Sequence, residues 1–141
     1  MSAHITIVTL GVADVGRSSS FYEALGFHRS SASQAEISFF QAGAVVLSVF
    51  GHEALAQDAE VQGAHSGFRG VTIAMNLGSA AEVDTEYARW VAAGATQVKA
   101  PVAAEWGGYS SYVADPDGHL WELAHNPYLP LRPDGSGELA D

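Results

Sequence analysis

The first half of the chain alternates between apolar runs and one stretch with helical spacing. Residues 5–12 (ITIVTLGV) are β-branched and apolar, which is typical of a buried strand. Asp14 follows at an N-cap position, and Gly26 supplies a C-terminal stop. The predicted elements are a strand over 5–12, a helix over 18–25, and a hairpin of strands over 36–40 and 44–50 around the turn 41–43.

The second half repeats this order of elements. Ser79 and Glu82 have the spacing of a capping box, and Gly94 marks the end of the helix. The residues DPDG at 115–118 are a strong turn signal. The predicted elements are a strand over 71–77, a helix over 79–94, and a hairpin of strands over 109–114 and 119–125. The sequence therefore predicts two related modules.

Strand alternation places one acidic residue in an unexpected position. In the last predicted strand, Glu122 shares a side with Leu120 and Ala124, opposite to the side beneath the helices. A four-residue turn places Ser111 near Glu122 and Tyr109 near Ala124. A carboxylate among apolar neighbours is costly to bury without a partner. Glu122 is therefore either a structural carboxylate that bonds Ser111 or the partner strand, or a functional group.

Several motifs together resemble a known superfamily. They are GVAD at 11–14, SSSFYEALGF at 18–27, WGGY at 106–109 and DPDGHLWE at 115–122. Over about residues 5–127 the chain resembles the vicinal oxygen chelate superfamily of glyoxalase, bleomycin-resistance and extradiol dioxygenase proteins. The resemblance implies an α+β fold of paired βαβββ modules that form a cupped mixed sheet. It also implies a homodimer, with a small-molecule site in each cup.

The resemblance also implies where metal ligands would lie in the metal-dependent relatives. The corresponding positions are Ile7, Ser48, Thr72 and Glu122. Only Glu122 has the expected kind of side chain, whereas a catalytic metal generally needs three protein ligands. The histidines do not restore the set, since His4 and His125 face the other way and His52 and His65 lack ligand spacing. We therefore predict no metal site and no cofactor, with a divalent ion kept as the alternative.

Composition narrows the classes of partner. Six Lys and Arg against sixteen Asp and Glu give a formal net charge of −10, which repels nucleic acids and anionic membranes. There is no cysteine, no apolar run long enough to span a membrane, and no basic region ahead of an apolar run at the N-terminus. We expect a cytoplasmic protein without a signal peptide.

The length fits one domain over residues 1–141. Its predicted parts are a first module over about 4–55, a connection over about 51–69, a second module over about 70–127 and a tail over 128–141. The connection has little periodicity, so it is a candidate lid or dimer-exchange segment. The segment 106–109 is either a gate with stacking aromatic residues or a bend that begins the hairpin.

Two functional hypotheses follow. The first is a metal-free protein that binds a small organic compound in a pocket lined by Ile7, Ser48, Phe50, Thr72, Tyr109, Ser111 and Glu122. The second is a metal-dependent lyase, isomerase or dioxygenase of the glyoxalase type, in which Glu122 is the catalytic base or the retained ligand. A purely structural role has no positive support beyond the expected dimer.

Overall fold

The computed structural model describes residues 3–64 and 66–139, which form two compact units divided between Arg69 and Gly70. The first unit contains β1 (Ile7–Val12), α1 (Val15–Ala24), β2 (His28–Arg29), β3 (Ile37–Ala42), β4 (Val45–Gly51) and α2 (His52–Ala59). The second contains β5 (Thr72–Asn76), α3 (Ala80–Ala92), β6 (Thr96–Ala103), β7 (Tyr109–Ala114) and β8 (Leu120–His125). Among the described residues, no helix is both long and apolar enough to cross a membrane.

Each unit has one four-stranded mixed sheet. The strand order is β1-β4-β3-β2 in the first unit and β5-β8-β7-β6 in the second. In each sheet, the first strand of the unit runs parallel to the last strand, and the other pairs are antiparallel. The predicted α+β fold with a repeated strand–helix–three-strand order is confirmed.

The long helices begin and end where local chemistry predicts. The Asp14 carboxylate accepts a hydrogen bond from the backbone N–H of Arg17 at 2.9 Å, and the Ser79 hydroxyl accepts one from the N–H of Glu82 at 3.2 Å. Both side chains satisfy N–H groups that have no partner within the helix. Gly26 and Gly94 follow the helices with φ of 96° and 110°, a conformation that favours glycine.

Each long helix covers one side of its own sheet. Tyr22 of α1 is fully buried against Phe40 of β3, with ring centroids 6.1 Å apart. Trp90 of α3 is fully buried against Trp121 of β8, with centroids 5.0 Å apart. We call this side of each sheet its helix-facing side and the opposite side its distal face.

The structure adds a helix to the connection that we expected to be irregular. Helix α2 (His52–Ala59) has Gly51 as its N-cap, and no side chain caps it. It ends at Glu60, which adopts a left-handed conformation with φ of 57°. Because the usual start signal is absent, the sequence pattern alone did not reveal this helix. The short strand β2 and the edge strand β6 were also not predicted from their residues.

Candidate functional site

The register of the last hairpin decides which side chains lie beside Glu122. Tyr112 of β7 pairs with Glu122 of β8, and Ser110 pairs with Ala124. Glu122 also lies opposite Ala74 of β5. The predicted neighbours, Ser111 beside Glu122 and Tyr109 beside Ala124, are therefore wrong by one residue.

The turn at 115–119 explains this one-residue difference. The N–H of Gly118 donates to the carbonyl of Asp115 at 3.0 Å, and the N–H of Asp115 donates to the carbonyl of His119 at 3.0 Å. Gly118 has φ of 82°, the left-handed conformation of a turn that contains one extra residue. The buried Asp115 carboxylate also accepts from the N–H groups of Asp117 and His119. The loop is thus five residues long rather than four.

The residues predicted to line the site in β7 lie on the helix-facing side. The Ser111 hydroxyl is fully buried and donates to the carbonyl of Leu123 at 2.9 Å. The Tyr109 hydroxyl donates to Asp84 of α3 at 2.7 Å. This hydrogen bond, followed by burial, raises the pKa of Tyr109. Ser111 thus bonds the backbone of β8 and Tyr109 bonds α3, and neither side chain contacts Glu122.

Tyr112 is the polar partner of Glu122 on the distal face. Tyr112 and Glu122 lie side by side, and both side chains are half-buried. Burial raises the pKa of Tyr112 first, and the negative charge of the neighbouring Glu122 raises it further. The phenol therefore stays protonated at neutral pH, and the carboxylate oxygens of Glu122 offer lone pairs to a ligand.

Three of the side chains around this pair are alanines, and the large apolar neighbour is the half-buried Leu120. Ala74 of β5 is exposed, and Ala114 and Ala124 of β7 and β8 are buried on the same face. An alanine side chain ends at Cβ, so none of these three extends over the carboxylate. The polar residues at the margins of this face are Thr72, Asn76 and Ser110, of which the predicted site residue Thr72 is exposed.

Trp106 lies at the end of this distal face. The N–H of Ala104 donates to the carbonyl of Gly108 at 2.8 Å, so the strand pairing extends to Gly108. Gly108 alternates with Tyr109 and so faces the same way as Ser110. A Cβ added to Gly108 would overlap the indole ring of Trp106. The half-exposed indole thus occupies the place of a side chain at Gly108.

The corresponding face of the first unit is mainly apolar. Ile7 is 47% exposed opposite Val46, and Phe50 is half-buried. Ser48 pairs with Thr9 and Phe39, so its hydroxyl lies on the distal face of this sheet. That hydroxyl is buried and makes no hydrogen bond to any described residue. The roles predicted for these residues in ligand binding stay predictions.

Helix α2 covers part of the first unit's distal face. A Cβ added to Gly11 would lie 2.9 Å from Nδ1 of His52, so glycine allows the imidazole to approach β1. Nε2 of His52 is hydrogen-bonded to the carbonyl of Gly63. His52 therefore links β1 to the end of the connection. His65, the other histidine predicted in this segment, lies outside the described residues.

The positions that hold a metal in related proteins do not fit one here. Ile7 has no donor atom, and Ser48 and Thr72 offer neutral hydroxyl groups, so Glu122 is the one carboxylate of the set. Divalent ions prefer carboxylate, imidazole or thiolate ligands, and catalytic sites generally use three. Within residues 3–64 and 66–139, no group of three or more His, Asp or Glu side chains is placed to hold an ion.

Comparison with known proteins identifies the class. The family model of the Glyoxalase/Bleomycin resistance protein/Dioxygenase superfamily matches residues 3–123, so the chain belongs to this superfamily. The chain is 35% identical to a glyoxalase-related enzyme from Fulvimarina pelagi, with a TM-score of 0.88 over 98% of this chain and 99% of that one. The resemblance inferred from the motifs is confirmed.

Solved structures of lower sequence identity have a similar fold. A glyoxalase/bleomycin resistance protein/dioxygenase from Nocardioides is 26% identical, with a TM-score of 0.73 over 89% of this chain and 84% of that chain. A lactoylglutathione lyase from Agrobacterium tumefaciens is 22% identical, with a TM-score of 0.68 over 89% and 96%, and shares the fold alone. No curated protein sequence matches the chain.

The sequence prediction missed Tyr112 as a neighbour of Glu122. A usable signal was present, because glycine at the fourth position of DPDG is typical of a turn with one additional residue. The same arrangement occurs at 104–108, where Gly107 has φ of 103° and its N–H donates to the carbonyl of Ala104 at 3.0 Å.

Proposed function

We propose that this protein binds a small organic compound on the distal face of its second unit, with Glu122 as the principal polar contact. The observation that carries the proposal is the half-buried Glu122 carboxylate, which lies between Tyr112 and the exposed Ala74. A carboxylate has about four lone-pair positions, so it has capacity to accept hydrogen bonds from a ligand. Membership of the superfamily supports this choice of surface.

Trp106 supplies the apolar part of the proposed site. Its indole lies over Gly108 on the side that carries Ser110 and Tyr112, and it is 54% exposed. An exposed indole offers a planar surface for a ring or another apolar group. The proposed ligand therefore combines an apolar body with at least one N–H or O–H group directed at Glu122.

A fragment screen by saturation-transfer NMR tests the proposal. We would compare the wild-type chain with Glu122→Gln, which preserves shape and removes the charge. The matched control is Asp84→Asn, because Asp84 is a carboxylate of the same unit that contacts Tyr109 on the helix-facing side. Loss of a hydrogen bond to a charged group costs about 1.5–3 kcal/mol, so fragments should bind Glu122→Gln roughly tenfold or more weakly.

Two results would reject the proposed site. Fragments that bind Glu122→Gln as well as the wild type would place the binding elsewhere. Fragments that lose affinity equally in Asp84→Asn would indicate a general effect of charge. Quenching of indole fluorescence provides a second readout, because Trp106 is exposed whereas Trp90 and Trp121 are buried.

An enzymatic function is the second candidate, and the contact between Tyr112 and Glu122 favours it. A protonated phenol beside a carboxylate provides a proton donor and a proton acceptor at one place. In an isomerase or lyase reaction, Glu122 would take a proton next to a carbonyl group and Tyr112 would hydrogen-bond the oxygen. Turnover of the hemithioacetal of methylglyoxal and glutathione tests this candidate. Unchanged turnover in Glu122→Gln would reject it.

The homodimer, the cytoplasmic location and the single-domain organisation stay predictions. Light scattering after size-exclusion chromatography measures the first directly. A mass of one chain, 14.8 kDa, over the working concentration range would reject the dimer.

A further inference from the structure

Lys99 extends the row of polar residues that contains Glu122. It is the only lysine in the sequence. In the second sheet, Lys99 of β6 pairs with Tyr112, which pairs with Glu122. The row from one edge of the sheet inward is thus a cation, a phenol and a carboxylate. With neighbouring strands about 4.8 Å apart, the Cα atoms of Lys99 and Glu122 are separated by about 10 Å.

An irregularity in β6 turns Lys99 toward this face. Gln97 pairs with Val113 on the helix-facing side, and its side-chain oxygen accepts a hydrogen bond from Tyr87 at 3.2 Å. The register then shifts between Gln97 and Lys99, and again between Lys99 and Val102. In a regular ladder Lys99 would pair with Ser111 and face the helix. A shift of one residue moves a side chain to the other face, so the bulge aligns Lys99 with Tyr112.

Lys99 differs from the arginines in having no partner among the residues that the structure describes. Each of the five arginines takes part in an interaction, for example Arg29 with Ser38 and Arg132 with Glu138. Lys99 makes no hydrogen bond or ion pair with any of residues 3–64 and 66–139, although the chain has sixteen acidic residues. The exposed ammonium group is therefore available to a ligand that reaches Glu122.

We infer that the distal face of the second unit selects a small zwitterion, with an ammonium or similar N–H group at Glu122 and a carboxylate or phosphate group at Lys99. This inference rests on the proposed function and assigns its ligand class. The opposite charges of Lys99 and Glu122 on one row favour a ligand of matching polarity over a simple cation or anion. Tyr112 lies between them in the row and separates the two charges.

Isothermal titration calorimetry with three matched probes tests the inference. The zwitterion is 4-(aminomethyl)benzoate, the cation is benzylamine and the anion is benzoate, and all three share one aromatic ring. An exposed ion pair contributes about 0.2–1 kcal/mol, so the zwitterion should bind about 1.4- to fivefold more tightly than benzylamine. Lys99→Gln should remove that advantage without weakening the binding of benzylamine, which has no anionic group for Lys99. Glu122→Gln should weaken both amines.

Arg132→Gln is the matched control, because it removes one positive charge from the tail, where Arg132 lies near Glu138. Equal loss of zwitterion affinity in Arg132→Gln and Lys99→Gln would overturn the inference. So would equal binding of the zwitterion and benzylamine to the wild type. If that equal binding still depended on Glu122, the proposed function would stand.

A lysine on an edge strand also discourages edge-to-edge association of sheets. If Lys99→Gln self-associates but binds 4-(aminomethyl)benzoate as tightly as the wild type, Lys99 protects the edge and the inference is overturned. Failure of the wild type to bind any of the three probes at millimolar concentration would also overturn it. The fragment screen then decides the proposed function separately.

Discussion

The two units share an order of elements but differ in the middle of their distal faces. In the first unit the central row is Thr9, Ser48 and Phe39. In the second unit the equivalent row is Ala74, Glu122 and Tyr112. Ser48 is fully buried, whereas Glu122 is half-buried beside Tyr112. The same register thus places two neutral hydroxyl groups and a phenyl ring in one unit and an acid–phenol pair in the other.

The helix-facing sides of the two units are much more alike. Each has an aromatic residue of the long helix, Tyr22 or Trp90, fully buried against an aromatic residue of the sheet. The comparison indicates that burial of these aromatic residues between helix and sheet stabilises the fold of each unit. The distal row can then change its chemistry without loss of the fold.

The largest expected effects test the likeness of the two helix-facing cores. Phe40→Ala in the first unit and Trp90→Ala in the second should each lower the free energy of unfolding by about 3–5 kcal/mol, because both side chains are fully buried. Urea unfolding measures the loss. If the alanine variants do not fold, Phe40→Leu and Trp90→Phe should give smaller losses of similar size. A loss confined to one unit would contradict the likeness.

The next prediction exchanges the central residues of the distal rows. Ser48→Glu should destabilise the chain by several kcal/mol, because it places a carboxylate at a fully buried position without a donor. Glu122→Ser should change stability by less than about 1 kcal/mol but abolish fragment binding, because Glu122 is half-buried. Thermal unfolding at neutral pH measures both. Ser48→Gln is the control for size, and equal destabilisation by Glu and Gln would contradict the electrostatic explanation.

Two serine substitutions should have opposite signs. Ser48→Ala should stabilise the chain by about 1 kcal/mol, because it removes a buried hydroxyl that has no partner among the described residues. Ser111→Ala should destabilise it by about 1 kcal/mol, because that hydroxyl donates to the carbonyl of Leu123. Urea midpoints of the single and double variants provide the test. The same sign for both would show that Ser48 also has a partner.

The smallest effect concerns alkaline pH. The pKa of Tyr112 is raised above its ordinary value of 10.0 in the folded chain, so the folded state holds this proton more tightly than the unfolded state. The resulting stability is complete below pH 10 and is lost as the pH rises through the raised pKa. Tyr112→Phe should therefore lose less stability than the wild type as the pH rises above 10.0. Tyr128→Phe is the exposed control, and identical losses in all three proteins would reject the effect.

Local chemistry made much of the fold predictable. Asp14 and Ser79 cap the long helices, and Gly26 and Gly94 end them. These signals could be recognised in the sequence because each residue acts on groups only a few positions away. The order of the predicted strands along the chain followed from apolar runs and the turn signals between them. Helix α2 and strand β6 lacked such signals, since α2 has no capping side chain and β6 contains Pro101 and two register shifts.

The candidate site was predictable only in part. Glu122 was assigned to the side opposite the helices from strand alternation, and the structure agrees because Trp121 packs against Trp90 on the other side. Its neighbours depended on pairing across the hairpin. The left-handed conformation of Gly118 lengthens the turn by one residue, which replaces Ser111 with Tyr112. One additional residue in the turn therefore changed which side chain of β7 lies beside Glu122.

The sequence by itself determined the two modules, the ends of their long helices and the side of β8 that carries Glu122. These properties depend on residue type and on short-range periodicity. Only the tertiary structure decided that Tyr112 lies beside Glu122, that Lys99 lies in the same row, and that Ser48 is buried. Those properties depend on register between strands, where one extra residue in a turn or a bulge transfers a side chain from one face of the sheet to the other.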